Sequence, residues 1–321
     1  MERCCIPALA SLDGVLIIVL AVTLDVVLGE PPSRLHPVVW VGRVVALAGH
    51  AAHRGGKARQ VGYGCLMTLL LAGGAFVLVW CLMRWVGVVA GPLHIVAGAL
   101  LLKPALSLRA LRQAALDVGG SLTAGDIEQA RARLCALVSR DTSHLNEPGA
   151  VSAVLESTAE NLSDSFVAPL FYFVLLGVPG AAAYRVVNTL DAMVGYHGRH
   201  EYLGKCAARL DDVVNFVPAR ISALLLVLAA AITRSRYRAA WQIALRDHGE
   251  TESPNAGWPM GAMAGALGVR LEKVGFYRLG SEGADPALRS IHTGIVLTMW
   301  SAGLWLGICV AMEIIWSASI P

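Results

Sequence analysis

Charged side chains are scarce in this chain. Asp, Glu, Lys and Arg make up 15% of its 321 residues, against about a quarter in a soluble domain. That excludes an ordinary soluble fold, and the 56% hydrophobic content places the chain in the membrane class. A formal net charge of +3, spread along the chain, is too small for a nucleic-acid-binding surface. The seven cysteines contain no C-x-x-C pair and no zinc spacing, and most lie in apolar stretches. There a cysteine behaves as a small hydrophobe, so neither a disulfide framework nor structural zinc is expected. The motif G-x-x-x-x-G-K-[ST] is also missing, so any nucleotide site must be of another kind. Repeats, low-complexity tracts and dividing linkers are lacking too, and a single polytopic membrane domain over 1–321 is expected.

What is present is long apolar sequence. Five runs, at about 12–28, 61–83, 86–102, 216–232 and 293–316, approach or reach the roughly 20 residues a spanning helix needs. The first has no basic flank near its start and no small-residue cleavage site, so it reads as a retained helix. A sixth run, 166–178, is too short to span alone and is followed by Pro179-Gly180. It reads as a broken or re-entrant segment, which survives at membrane depth only inside protein or beside a wet cavity. The expected fold is all-α: a polytopic integral membrane helical protein of about five to six spanning helices with one broken segment.

Loop charge sets the orientation. Arg34, Arg43, Arg54, Lys57 and Arg59 follow the first run, and Lys103, Arg109, Arg112, Arg131, Arg133 and Arg140 follow the third. Two crossings separate these groups, so both can be cytoplasmic. Arg234, Arg236, Arg238 and Arg246 share that side if 166–184 is itself a crossing. Polar cytoplasmic loops are thus expected at about 29–60, 103–165 and 234–292, in a multi-pass protein of the cell (inner) membrane.

The chemistry-bearing residues concentrate between 139 and 220. Glu156, Glu160 and Asp164 fall at i, i+4 and i+8 of a helix, where like charges repel unless a cation or a proton relieves them. The stripe reads either as a solvated face or as a magnesium- or phosphate-handling site. Asn188-Thr189-Leu190-Asp191 suits a helix cap with an acid three residues on, or a ligand set. Asp211-Asp212 with Asn215 precedes an apolar helix: one acid can complement its dipole, whereas two point to a bound cation. In Ser253-Pro254-Asn255-Ala256-Gly257-Trp258-Pro259 a helix should start near Pro259. The glycine turn ahead of it is either an anion site or an ordinary entry into a tightly packed helix. His36, His197 and His200 show no zinc spacing.

At these residues the chain resembles the CobD/CbiB family of cobalamin-biosynthesis membrane proteins. The resemblance rests on D-V-V-L-G-E-P-P-S-R-L-H-P-V-V-W-V-G-R (25–43), K-P-A-L-S-L-R-A-L (103–111) and V-S-R-D-T-S (138–143). It continues through E-S-T-A-E-N-L-S-D-S-F-V-A-P-L-F-Y (156–172), N-T-L-D-A-M-V-G-Y (188–196), A-A-R-L-D-D-V-V-N-F-V-P-A-R (207–220) and S-P-N-A-G-W-P (253–259). After Leu271 the match fades, and Glu272-Lys273-Val274-Gly275-Phe276-Tyr277 stands where the family has other residues.

The resemblance implies an adenosylcobinamide-phosphate synthase, which joins adenosylcobyric acid to aminopropanol or its O-phosphate through an amide bond with ATP consumed. ATP and magnesium are then the expected co-substrate and metal, and the corrinoid is a substrate. The lipid bilayer and other membrane enzymes of the pathway are the expected partners, and nucleic acid is not. The residues expected to act as catalysts are Glu156, Glu160 and Asp164. Lys103, Arg140, Asp141, Asn161, Asn188, Arg220 and Asn255 are expected to bind phosphate or substrate, and Asp191, Asp211 and Asp212 the metal. Two other classes also fit a membrane protein with buried acids. A magnesium-dependent prenyl- or phosphotransferase would act without ATP, and a transporter or sensor would keep its function when the acids become amides.

Overall fold

The computed structural model describes residues 12–30, 39–45, 56–89, 92–194 and 201–319. Arg34, His36, Arg54, His197, Arg199 and His200 lie outside the described residues. Apart from one hairpin the regular structure is helical, as a chain must be whose backbone polar groups cross lipid. Among the described residues four helices are long and apolar enough to cross a membrane: Lys57–Val89, Leu93–Thr123, Glu147–Val194 and Leu288–Ser319. Tyr202–Val214 with Phe216–Ile232 makes a fifth if that bent pair is one span. Leu69, Leu70, Leu78, Trp85 and Val88 of the first are exposed, the outward apolar surface of a membrane helix.

Two of the expected runs come out differently. Residues 12–28 form α1 (Asp13–Leu28), whose 16 residues fall short of a full span. The run 86–102 is shared between α3 (Lys57–Val89) and α4 (Leu93–Leu102), with Pro92 at the N-cap of α4. Proline lacks the N–H and clashes with the preceding turn, so an uninterrupted helix was excluded there. The polar segments 103–165 and 234–292 between the apolar runs are largely helical. Their helices α5 (Leu108–Thr123), α6 (Ile127–Leu134), α7 (Glu147–Leu162) and α11 (Tyr237–Asp247) carry polar faces that a search for apolar runs passes over.

The chain forms two compact units, each from separate stretches of sequence. The first unit comprises 1–107, 168–214 and 307–321. It holds α1, a short helix α2 at 39–45, α3, α4, α8 (Ala168–Val194) and α9 (Glu201–Val214). Helix α3 packs on α8 and α9, around a core that includes Met67, Leu190, Val194 and Leu203. Gly64 of α3 sits so close to α9 that a Cβ would lie 2.0 Å from the Leu203 carbonyl oxygen. The break expected within 166–184 falls at Gly177, whose φ of 71° and ψ of −166° are open to glycine and foreign to other residues; Pro179 follows inside α8.

The second unit comprises 108–167 and 215–306. It contains α5, α6, α7, a π-helical turn (Ser163–Val167), α10 (Phe216–Ile232), α11, α12 (Gly257–Leu267) and most of α13 (Leu288–Ser319). An antiparallel hairpin, β1 (Leu271–Lys273) and β2 (Tyr277–Leu279), was not expected in an all-α chain. The tightest pairing is α11 on α12, where Gly257, Gly261 and Gly265 recur every fourth residue. Small residues at that spacing let helix backbones meet. A Cβ at Gly265 would lie 2.4 Å from the Ala239 carbonyl oxygen and 2.6 Å from the Ala240 Cα. Because backbone cannot step aside, Gly265→Ala should destabilise by on the order of 1–3 kcal/mol. That predicts a lower denaturation midpoint in detergent, whereas Gly73→Ala, with nothing within 4 Å of its Cβ, should show no loss.

Candidate active site

In the second unit, the V-S-R-D-T-S stretch delivers Arg140 to Glu156. The stretch is tied down immediately after the arginine. Thr142 is buried and its hydroxyl donates to the Arg131 carbonyl at 3.1 Å. The Asp141 carboxylate accepts from the Ser143 N–H at 2.9 Å, and that N–H and the Ser143 hydroxyl hold its pKa below the usual carboxylate range. Asp141 is exposed and serves its own turn. Held this way, Arg140 places Nη1 3.0 Å from Glu156 Oε2, with the two side chains only 13% and 6% exposed. Its Nε and Nη2 are also buried and find no hydrogen-bond partner among the described residues.

Glu156 lies on α7, and both of its oxygens are engaged. Ser152, one turn earlier, donates to Oε1 at 2.6 Å, and the Tyr277 hydroxyl donates to Oε2 at 2.7 Å. The hairpin is fastened to the same place, since the Glu272 N–H donates to Ser152 Oγ at 2.9 Å. Burial, then the charge of Glu156 and the hydrogen bond to it, push the Tyr277 hydroxyl well above its ordinary pKa, with Glu160 adding in the same direction. Tyr277 therefore stays a donor at every physiological pH. Neither Tyr277 nor Ser152 was singled out from sequence. The S-x-x-x-E spacing was readable as an i, i+4 pair, but nothing local tied residue 277 to 156.

The other acids of α7 differ in setting. Glu160 is exposed and within electrostatic reach of Tyr277, while Asp164 is half-buried. The α-helical register ends at Leu162, and Asp164 stands in the π turn that follows. The three acids thus do not form one uniform interior stripe. Asn161 donates to the Ser157 carbonyl at 2.9 Å, a contact within its own helix.

Arg220 and Asn255 also come together in this unit. Arg220 Nη1 donates to Asn255 Oδ1 at 3.1 Å, and its guanidinium lies 3.5 Å from the Phe216 ring centroid and 4.9 Å from that of Trp258. Helix α12 starts at Gly257, two residues before Pro259. A Cβ at Gly257 would fall 2.2 Å from the His248 carbonyl oxygen, which favours the tightly packed entry over an open anion loop.

The first unit holds the remaining candidates. Lys103 is buried with Nζ 3.8 Å from Asp25 and 3.5 Å from Glu30. The first two matching motifs meet in this cluster. Asn188 accepts from Arg185 at 3.2 Å and donates to Asp211 at 3.5 Å. Asn188 and Asp191 lie within α8, so the cap reading of that motif fails. Asp211 and Asp212 occupy the last turn of α9, and Asn215 is the N-cap residue of α10. The acids therefore do not cap the apolar helix, because the chain completes one helix before starting the next. Asp191 and Asp212 are within electrostatic reach of each other. Among the described residues no group of three or more His, Cys, Asp and Glu side chains is arranged to hold a metal. Magnesium commonly takes only one or two carboxylates and completes its shell with phosphate and water.

Comparison with known proteins gives one family throughout. The family model described as CobD/Cbib protein matches residues 18–314. The chain is 46% identical over 301 residues to a cobalamin biosynthesis protein CobD of Dehalococcoides mccartyi, covering 94% of this chain and 98% of that one. It is 44% identical over 304 residues to a probable cobalamin biosynthesis protein CobD of Methanothermobacter thermautotrophicus, covering 92% and 99%. A cobalamin biosynthesis protein CobD of Klebsiella pneumoniae is 43% identical over 256 residues, covering 77% and 79%. No solved structure matches.

Proposed function

The chain belongs to the CobD/CbiB family of cobalamin-biosynthesis proteins, and from that premise we propose that it catalyses ATP-dependent amide formation between adenosylcobyric acid and aminopropanol or its O-phosphate. One observation carries the reading. Arg140 is clamped at Nη1 by a buried carboxylate, while its Nε and Nη2 remain buried and unmatched by any described residue. Buried donors without partners are rare in folded proteins, and that edge of a guanidinium matches two oxygens of a phosphate or carboxylate.

A carboxylate is a poor acyl donor because its oxygen leaves badly. In the proposed reaction a carboxylate oxygen of adenosylcobyric acid attacks the γ-phosphorus of ATP. The new O–P bond forms as the bridge to ADP breaks. The amine nitrogen then attacks the carbonyl carbon of the acyl phosphate, the C–O bond to the phosphoryl group breaks, and inorganic phosphate departs. The proton of the attacking ammonium goes to a carboxylate. Glu156 is unsuited to that last role because its oxygens already accept from Ser152, Tyr277 and Arg140. We assign it instead the task of aiming Arg140 at the transferring group, and we assign the proton to Glu160, exposed one turn further along α7. In the first unit, Asp191 and Asp212 with Asp211 beside them would hold magnesium, whose charge offsets that of a phosphate.

The test is an assay of the purified chain in detergent with adenosylcobyric acid, aminopropanol phosphate and Mg-ATP. The reading expects the amide and ADP in equal amounts; product without ATP, or ATP turnover without product, would count against it. For the metal, Asp212→Asn should raise the magnesium concentration needed for half-maximal rate by on the order of tenfold. An unchanged magnesium dependence would remove Asp212 from the metal site. ATP is available in the cytoplasm, so we place the site on that side. Cys135, exposed on the segment leading to Arg140, reports on it. With the other cysteines replaced, an impermeant maleimide should label Cys135 only after cells are opened, and labelling of intact cells would reverse the orientation.

A further inference from the structure

The first unit contains a cavity of about 480 Å³ between residues of α2 and α8. Among the described residues its two charged lining residues, Arg43 and Arg185, are both cationic. Asn188 and Thr189 add polar groups, and the rest of the wall, Met193 included, is apolar or glycine. Helix α2 lies directly on α8 here, since a Cβ at Gly42 would stand 3.0 Å from Met193 Sδ. That close approach brings Arg43 to the same cavity as Arg185.

Arg185 stands on α8, eight residues after the break at Gly177, in the polar end of the long helical stretch Glu147–Val194. Its Nη1 donates to Asn188 Oδ1 at 3.2 Å, and Asn188 donates in turn to Asp211 at 3.5 Å. The guanidinium is thus oriented through an amide and given no direct carboxylate partner among the described residues. Its Nε is buried without a hydrogen-bond partner among them. Two cations, two polar side chains and apolar neighbours among the described lining residues suit a small anion with a short carbon skeleton. A volume of about 480 Å³ lies in the range of small-molecule pockets.

We infer that Arg43 and Arg185 bind a phosphate ester, and that the ligand is the phosphate monoester end of the amine substrate. The inference rests on the amide-forming reaction proposed above and adds residues that would decide between aminopropanol O-phosphate and the free alcohol. Charge favours this source over a lipid headgroup. A monoester carries about −1.5 to −2 at neutral pH, which two guanidiniums balance, whereas a phospholipid diester carries a single charge.

The test has a kinetic and a binding arm. The ratio of kcat/KM for aminopropanol O-phosphate to that for aminopropanol is measured in the wild type, Arg185→Gln, Arg185→Lys and Arg43→Gln. The glutamine variants should lower that ratio by on the order of tenfold to a hundredfold, through KM for the phosphorylated amine. Arg185→Lys should recover part of it. If Arg185→Gln does not fold, Arg43→Gln, at an exposed position, carries the test. In the binding arm, aminopropanol O-phosphate alone should raise the denaturation midpoint of the wild type and not of Arg185→Gln. An unchanged ratio in folded variants overturns the proposal. So does stabilisation, dependent on Arg185, by phosphatidylglycerol nanodiscs over phosphatidylcholine ones without any response to the soluble ester. If the wild type makes no amide yet is stabilised by the ester through Arg185, the reaction is wrong and the pocket stands. If it makes amide with an unaltered ratio, the pocket is wrong and the reaction stands.

Discussion

Glu156→Gln is expected to lose both activity and fold stability. From sequence alone the change looks conservative, because an amide keeps the size and most of the hydrogen-bonding capacity. The structure makes it severe. Glu156 is buried and pairs with Arg140 at 3.0 Å, so the amide leaves a nearly buried guanidinium without its counter-charge. Breaking a buried pair from one side costs on the order of 3–5 kcal/mol. Amide synthesis should fall by orders of magnitude as well, since Arg140 loses the contact that aims it. A second change separates the two effects. Glu156→Gln with Arg140→Met removes the stranded charge and should recover much of the stability with none of the activity. If the single variant keeps the wild-type denaturation midpoint and rate, the pair is ornamental and the site lies elsewhere.

Glu160→Gln should do the opposite on stability and the same on rate. The side chain is exposed, so its amide should leave the denaturation midpoint within about 0.5 kcal/mol of the wild type in equivalent stability. A positioned base contributes on the order of 10²–10⁴ to rate. Loss of that size at unchanged folding, with the acyl phosphate step still measurable as ADP release, would place Glu160 at proton removal. Turnover near normal would make it a solvated surface residue.

The contrast between these two acids was hidden in the sequence. Helical spacing correctly placed Glu156 and Glu160 on one helix, but it could not say that the first is sealed beneath the hairpin and the second is not. Asp164 lies past the end of the α-helical register, in the π turn at Ser163–Val167, and nothing in S-D-S-F-V announces that turn. Arg140 was singled out in the sequence as a partner for phosphate oxygens, and its pairing with Glu156 is visible only in the fold. Tyr277 was not, because its partner is 121 residues away and reaches it only through the hairpin. Likewise the pair Asp211-Asp212, read along the chain, could complement the dipole of the following helix or hold a cation. Only the fold reveals that α9 ends after these acids and that α10 begins at Phe216, with Asn215 at its N-cap. The membrane class and the helical fold were plain from apolar length, a property that needs no long-range contact to act. The break at Gly177-Val178-Pro179 was equally local, since glycine and proline carry their backbone preferences wherever they stand.

The fate of one oxygen atom tests the central claim most directly. Adenosylcobyric acid labelled with ¹⁸O in its reacting carboxylate is turned over by the wild-type chain with Mg-ATP and aminopropanol phosphate, and the products are weighed by mass spectrometry. Activation as an acyl phosphate predicts one ¹⁸O in the inorganic phosphate released, one in the amide carbonyl, and ADP without label. Label in AMP, or label lost to water with no phosphate enrichment, would contradict the proposed chemistry.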